Sequence, residues 1–450
     1  MDMQFARLRS VYRWLFSIEE IESNTTLQWL FGVLLLFFFV TFYQWSSSTV
    51  LSLAHATRNV CWPHFPSCDA LLFFSSSPYS YSQNIFYTLL FAAMIALVYC
   101  AWRRWWTAAH AMLLALFLWK FVAVFFLSYG IGGVYDYYHL IITAVFLFVP
   151  HKEYFAKLAF VLLYFLSATV KFYPSWILGT YFSSLALGLP LFPDALVLPI
   201  SMSVIVSQVF GAWFLLSRRP LYQRMALIYF GTFHLYSTIF VGFNYPSFAE
   251  STLLVLFGPL YRYQAPPISR RAIAGWLMMA LLFAFQAPAY LIPGDEKLTM
   301  EGYRFGMWMF DSNHQCVAEF TMYYREARPD FRTSEMRDRP GTPCEGSRCV
   351  TARSLREIEG QWVGTIRIES PKAEVRCSPY TYWQRYRYLC EGAERVAFTF
   401  DHSVNGGAFF RIVEVPDMCA LTYSAFGRNQ WIKEPPEARA IGFPVENIYY

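Results

Sequence analysis

Long apolar runs dominate the first two thirds of the chain, and a mixed polar pattern fills the last third. A membrane-spanning helix needs roughly 20 mostly apolar residues. Runs of about that kind fall at 27–46, 84–102, 109–128, 137–150, 154–172, 194–216, 225–243, 250–261 and 272–292. The fourth and eighth are short, which fits a tilted, partly re-entrant or bundle-buried segment. After residue 295 the period changes. Val363 to Glu369 alternates like a half-buried strand. Arg395–Phe400 and Ala408–Val415 read as a strand pair, with Asn405-Gly406-Gly407 as the turn between them. Ala318 to Arg328 fits a strand or a short helix, and Arg328 to Arg348 reads as a loop.

The predicted fold is therefore an all-α polytopic membrane bundle of about nine helices over residues 1–294. A small, mostly-β, disulfide-bonded extracytoplasmic domain follows over residues 295–450.

Composition supports that division. The chain is 56% hydrophobic and 20% aromatic, but only 15% charged, against about 25% charged in soluble proteins. Charged residues number 25 before residue 295 and 42 from Asp295 onward. Intrinsic disorder is excluded by the hydrophobicity. The net charge of +5 comes with no basic tract, so no nucleic-acid partner is expected.

Loop charge gives an orientation. Arg7, Arg9, Arg13, Arg103, Arg104, Lys152, Lys157, Arg218, Arg219, Arg224, Arg262, Arg270 and Arg271 fall at the N-terminus and in alternate loops. This predicts a multi-pass protein with a cytoplasmic N-terminus and an extracytoplasmic C-terminal domain. No cleavable signal peptide is expected, because the first apolar run is too long. Eight of the nine cysteines then lie on the outer side: Cys61, Cys68, Cys316, Cys344, Cys349, Cys377, Cys390 and Cys419. That distribution predicts disulfides in an oxidising compartment. No metal site is expected, as no CxxC or His-x3-His accompanies them. Their connectivity is not legible from spacing.

Ionisable residues inside apolar runs are functional candidates by default. They are Lys120, His139, Lys171, His234 and Glu250. The topology brings Asp136, His139, Lys171 and Glu250 to one depth. A lysine taken out of water loses part of its preference for the charged form and can act as a base near neutral pH; a nearby histidine can orient it. Each residue also has a plainer role: Lys171 snorkelling to headgroups, Lys120 pairing with an internal carboxylate, His139 and His234 packing, Asp136 and Glu250 solvated at the interface.

The segment Tyr164-Phe-Leu-Ser-Ala-Thr-Val-Lys-Phe-Tyr-Pro-Ser-Trp-Ile-Leu-Gly179 resembles the hallmark of the vitamin K-dependent γ-carboxylase-like family, also called the horizontally transferred transmembrane domain family. Lys171, Trp176 and Gly179 carry the match. His139 in Tyr137-Tyr-His-Leu140, Phe233-His234, Leu256-Phe-Gly-Pro-Leu-Tyr261 and Arg304-Phe-Gly-Met-Trp-Met309 resemble further segments of that family in the same order, over roughly residues 20–310. Where the family has an acidic run after its lysine, this chain has Phe172-Tyr-Pro-Ser.

The resemblance implies that Lys171 is the base that deprotonates a reduced quinone of the vitamin K hydroquinone type, a step that drives carboxylation in the carboxylase. It implies His139 as its assistant and His234 as a residue placing the second substrate. Asp136, Tyr138, Trp176 and Glu250 complete the candidate binding set.

Two functions are carried forward. One is a carboxylase/epoxidase-like lyase or terpene cyclase-like enzyme acting on a lipid-soluble quinol or isoprenoid. The other is a non-catalytic membrane accessory or maturation protein whose outer domain recognises a secreted peptide or partner protein. Both have membrane lipid and a lipid-soluble small molecule as partners.

Overall fold

The computed structural model describes residues 2–44, 64, 81–122, 134–183, 188–241, 246–303, 312–326, 350–370, 377–435 and 437–442. The helices run α1 (Asp2–Leu15), α2 (Ile18–Ser23), α3 (Thr25–Gln44), α4 (Tyr81–Trp102), α5 (Trp106–Val122), α6 (Val134–Phe148), α7 (Lys152–Thr169), α8 (Pro174–Ile177) and α9 (Thr180–Ser183). They continue with α10 (Asp194–Val209), α11 (Pro220–Ile239), α12 (Pro246–Phe257), α13 (Ala272–Leu291), α14 (Glu296–Thr299) and α15 (Pro379–Tyr386). A 3-10 turn, Gly211–Leu216, extends α10.

The strands are β1 (His314–Tyr324), β2 (Val350–Ile358), β3 (Gln361–Ser370), β4 (Arg395–Val404), β5 (Phe409–Val415) and β6 (Arg439–Gly442). They form one antiparallel sheet in the order β2-β3-β1-β4-β5-β6.

This mixed architecture corrects the all-α, nine-span expectation. Among the described residues, two helices are long and apolar enough to cross a membrane: Asp194–Leu216, which is α10 with its 3-10 extension, and Ala272–Leu291, which is α13. Five other apolar helices fall in the range of 10–17 residues: Thr25–Val40, Thr88–Trp102, Trp106–Val122, Asp136–Phe148 and Ser247–Phe257. At about 1.5 Å per residue α5, α6 and α12, with 17, 15 and 12 residues, fall short of the roughly 30 Å of a hydrocarbon core. An apolar run reads the same in sequence whether protein or lipid covers it.

α7 shows the point. It is buried on nearly every face, packed against α3, α6, α10, α12 and α13. Lys152 and Lys157 are 0% and 2% exposed, so they are not free loop charges. Lys152 Nζ donates to the Phe146 carbonyl at 2.6 Å. Lys157 donates to Glu153, one turn back, and to the Arg262 carbonyl. Two of the basic residues behind the predicted orientation are thus interior groups.

The two long helices behave differently. Only 22% of the α10 window and 33% of the α13 window is buried. Leu196, Leu198, Met202, Val206 and Phe210 project outward from α10 and its C-cap, as do Ile273, Leu277, Leu281 and Leu291 from α13.

The sheet follows its sequence signals. Asn405 and Gly406 both have positive φ, 53° and 72°, the conformation that a tight hairpin between right-twisted strands requires. β4 and β5 pair across it, with Phe400 opposite Val413. Glu359 and Gly360 do the same between β2 and β3, at φ 51° and 77°, with Ile358 opposite Gln361. The segment starting at Ala318 is strand, part of β1. α15 covers the inner face of the sheet through Tyr386 on Phe320 and Tyr382 on Phe400. Disulfides Cys316–Cys377 and Cys390–Cys419 fasten this layer. Cys61, Cys68, Cys344, Cys349 and the 328–348 segment lie outside the described residues.

Candidate ligand cavity

The local sequence explains how Lys171 and Trp176 come together. α7 stops at Thr169, and the Lys171 side chain turns back to donate from Nζ to the Ser167 carbonyl at 2.6 Å. An N–H donor there satisfies one of the carbonyls that the helix end leaves open. Pro174 opens α8 at its first helical position, where its missing N–H costs nothing. Gly179 closes the turn with φ +80°. A Cβ there would lie 2.6 Å from Val197 Cγ1 of α10, so glycine lets the turn press against that helix. The result sets Lys171 Nζ 5.8 Å from the centre of the Trp176 ring. Both residues are nearly fully buried, at 4% and 3% exposure.

They form part of the wall of a cavity of about 410 Å³, within the size range of small-molecule sites. Tyr181, Phe182, Leu189, Phe192 and Val204 make much of it apolar; α11 adds Tyr229, Thr232, Phe233, Tyr236 and Ser237. α10 contributes Ser201 and Gln208. Gln208 also borders a much smaller neighbouring cavity, lined by Tyr138, Tyr164, His234 and Phe248. His234 is buried there with Nε2 bonded to the Tyr164 hydroxyl.

His139 lies elsewhere. Its Nε2–H donates to the Leu34 carbonyl at 2.9 Å, which leaves Nδ1 as the acceptor for Lys120 Nζ at 2.7 Å. Lys120 also pairs with Asp136 at 2.8 Å. All three are at most 2% exposed. Both ring nitrogens of His139 are therefore engaged, and neither bonds Lys171. Asp136 is interior, not solvated at an interface. Glu250 lines neither cavity; it sits against α11, where a Cβ at Gly231 would stand 3.6 Å from its Oε1. The four groups expected at one depth are thus divided: Asp136 and His139 around Lys120, Lys171 with Trp176, and Glu250 on α12. Tyr138 and His234 line the small cavity. Among the described residues no cluster of three or more His, Cys, Asp or Glu side chains stands ready for a metal ion.

The sheet docks on the same turn that carries Lys171. Lys297 Nζ donates to the Val170 carbonyl at 3.0 Å, and the Tyr173 hydroxyl donates to Asp295 at 3.0 Å. Asn313 Nδ2 donates to the Tyr181 carbonyl at 2.9 Å, and Asn405 bonds the Ser175 hydroxyl. Behind this junction His314 and His402 stack, with His314 Nδ1 and His402 Nε2 3.0 Å apart. His402 Nδ1–H donates to the Leu298 carbonyl. Burial lowers the His402 pKa to about 4, against the raising effect of the Leu298 hydrogen bond and Asp295. Burial also holds His314 well below 6.5, helped by His402 and Lys297.

No family model, curated protein or solved structure matches the chain.

Proposed function

We propose that this is a membrane-embedded protein that admits a lipid-soluble small molecule to the Lys171 cavity, and that it is an enzyme using Lys171 as a base. The observation that carries the reading is one buried amine in the wall of a largely apolar, aromatic cavity of about 410 Å³. Such a lining favours an apolar body with few polar groups. The membrane part of the reading is supported by the outward apolar side chains of α10 and α13, two helices long and apolar enough to cross a membrane. The resemblance to the γ-carboxylase-like family suggests a reduced quinone or an isoprenoid as the substrate. In the simplest step the Lys171 amine takes the proton of a ligand hydroxyl, becoming an ammonium and leaving an oxyanion beside Trp176. The sheet domain, with its disulfides, fits an extracytoplasmic position.

A second reading is favoured by His139, whose ring serves Lys120 and Leu34 instead of Lys171. In it the cavity only holds a lipid or quinone, and the sheet domain binds a peptide or partner protein. One experiment separates the two. Wild type, Lys171→Ala and Arg428→Ala, a control at a surface residue of the sheet domain, are purified in detergent with native lipid extract and reduced quinones. Product is followed by mass spectrometry. The enzyme reading expects product from wild type and the Arg428 variant and none from Lys171→Ala. Retention of a bound lipid with no turnover in any of the three supports the binding reading.

A further inference from the structure

Resting on that cavity reading, we propose that Ser201 and Gln208 of α10 are the cavity's polar recognition pair, selecting a ligand that presents hydrogen-bonding groups at two separated points. Ser201 is 0% and Gln208 2% exposed, and both line the cavity. Ser201 Oγ and Gln208 Oε1 are each buried without a hydrogen-bond partner among the described residues. A buried polar atom left unpaired is costly, and such atoms normally find a partner.

Ser201 had a partner within reach of its own helix, because a helical serine can bond the carbonyl three or four residues back. Its neighbours do so: Ser203 donates to the Ile200 carbonyl at 2.8 Å, and Ser207 to the Ser203 carbonyl at 2.6 Å. Those two satisfy themselves on the helix. Ser201 lines the cavity as Ser203 does, but makes no such bond and keeps its hydroxyl for what enters.

The spacing defines the ligand. Seven residues return to the same helix face at about 10 Å along the axis, too far for one hydroxyl to serve both groups. Ser201 lines the large cavity. Gln208 lines it too and is shared with the small cavity of His234. Two hydrogen bonds of about 2.8 Å with one ring between para oxygens cover about that distance. A ligand with one polar head, or none, leaves at least one of the two unpaired.

The test uses binding, so that turnover does not enter. Geranylhydroquinone, its monomethyl ether and its dimethyl ether are titrated into the detergent-solubilised full chain, following Trp fluorescence. Wild type is expected to bind the diol at least 10-fold more tightly than the dimethyl ether. Ser201→Ala and the shape-conserving Gln208→Met are each expected to cut that preference about 5-fold, and the double variant to abolish it. Ser201→Thr, which keeps the hydroxyl, is expected to retain it, and an unchanged melting temperature shows that each variant is folded. Saturable binding with the wild-type preference intact in the double variant overturns the recognition pair and leaves the cavity reading standing. Saturable binding of none of the three probes by wild type overturns both.

Discussion

Lys120 Nζ donates to His139 Nδ1 at 2.7 Å while holding Asp136 at 2.8 Å, tying α5 to α6 inside the helical core. His139 in turn reaches across to the Leu34 carbonyl of α3. The cluster therefore joins three helices and satisfies its own charges. Removing one partner of a buried pair strands the other and costs about 3–5 kcal/mol. Lys120→Met is expected to destabilise the chain by that order, read as loss of thermal stability in detergent. The double variant Lys120→Met/Asp136→Leu, which removes both charges, is expected to recover most of it. Equal loss in single and double variants would show that the charges are not what matters.

Acid is expected to weaken the sheet junction. His402 titrates near 4 when folded, and His314 lies well below 6.5, while both take up protons near 6.5 once unfolded. Between those values the unfolded chain binds protons that the folded chain refuses. Stability is therefore complete above pH 6.5 and falls as pH drops through 6.5 toward 4. Each histidine contributes a slope of about 1.4 kcal/mol per pH unit in that window. Denaturant titrations from pH 7.5 to 4.5 measure it, and His314→Gln/His402→Gln should flatten the curve. A wild-type profile without slope there contradicts the buried neutral pair.

The disulfides should matter to stability. Cys390–Cys419 closes a separation of 29 residues, a loop whose cross-link contributes about 3.6 kcal/mol in the chain-entropy account. Cys390→Ser/Cys419→Ser is expected to lower the sheet domain's unfolding midpoint by a corresponding amount, and peptide mapping without reductant should recover the 390–419 and 316–377 pairs. Recovery of different pairs would refute this connectivity.

Gly179→Ala is expected to damage ligand binding by moving the turn. It forces a side chain into positive φ and against Val197, with a strain of about 1–3 kcal/mol. Combining it with Val197→Ala should restore part of the loss, because that relieves the contact but not the backbone. Unaltered binding in Gly179→Ala would show that the turn does not set the cavity wall.

Local signals in the sequence held up where the physics is local. The β4–β5 hairpin was legible because Asn-Gly is the sequence form of its turn. The β2–β3 hairpin was missed because Glu359 takes the same positive φ without advertising it. Burial was harder to read. The apolar runs told of helices but not of what covers them, so α6 and α12 read as spans although they are too short. Ser201 and Gln208 carry no charge, so they did not stand out as ionisable residues in an apolar run do. Their spacing of seven, which returns to one helix face, was the available signal, though Ser203 and Ser207 lie between them. Lys171 and Trp176 were found together because the intervening proline and following glycine encode the turn that joins them.

Val170, Tyr173, Ser175 and Tyr181, which hold the sheet, alternate in sequence with Lys171 and Trp176, which face the cavity. One short stretch of backbone thus has two masters. A displacement of the sheet at these hydrogen bonds is a displacement of the cavity wall. By reciprocity, whatever factor a cavity occupant applies to sheet attachment, attachment applies to the occupant's affinity. The turn is a shared bearing, and load placed on either side is felt on the other.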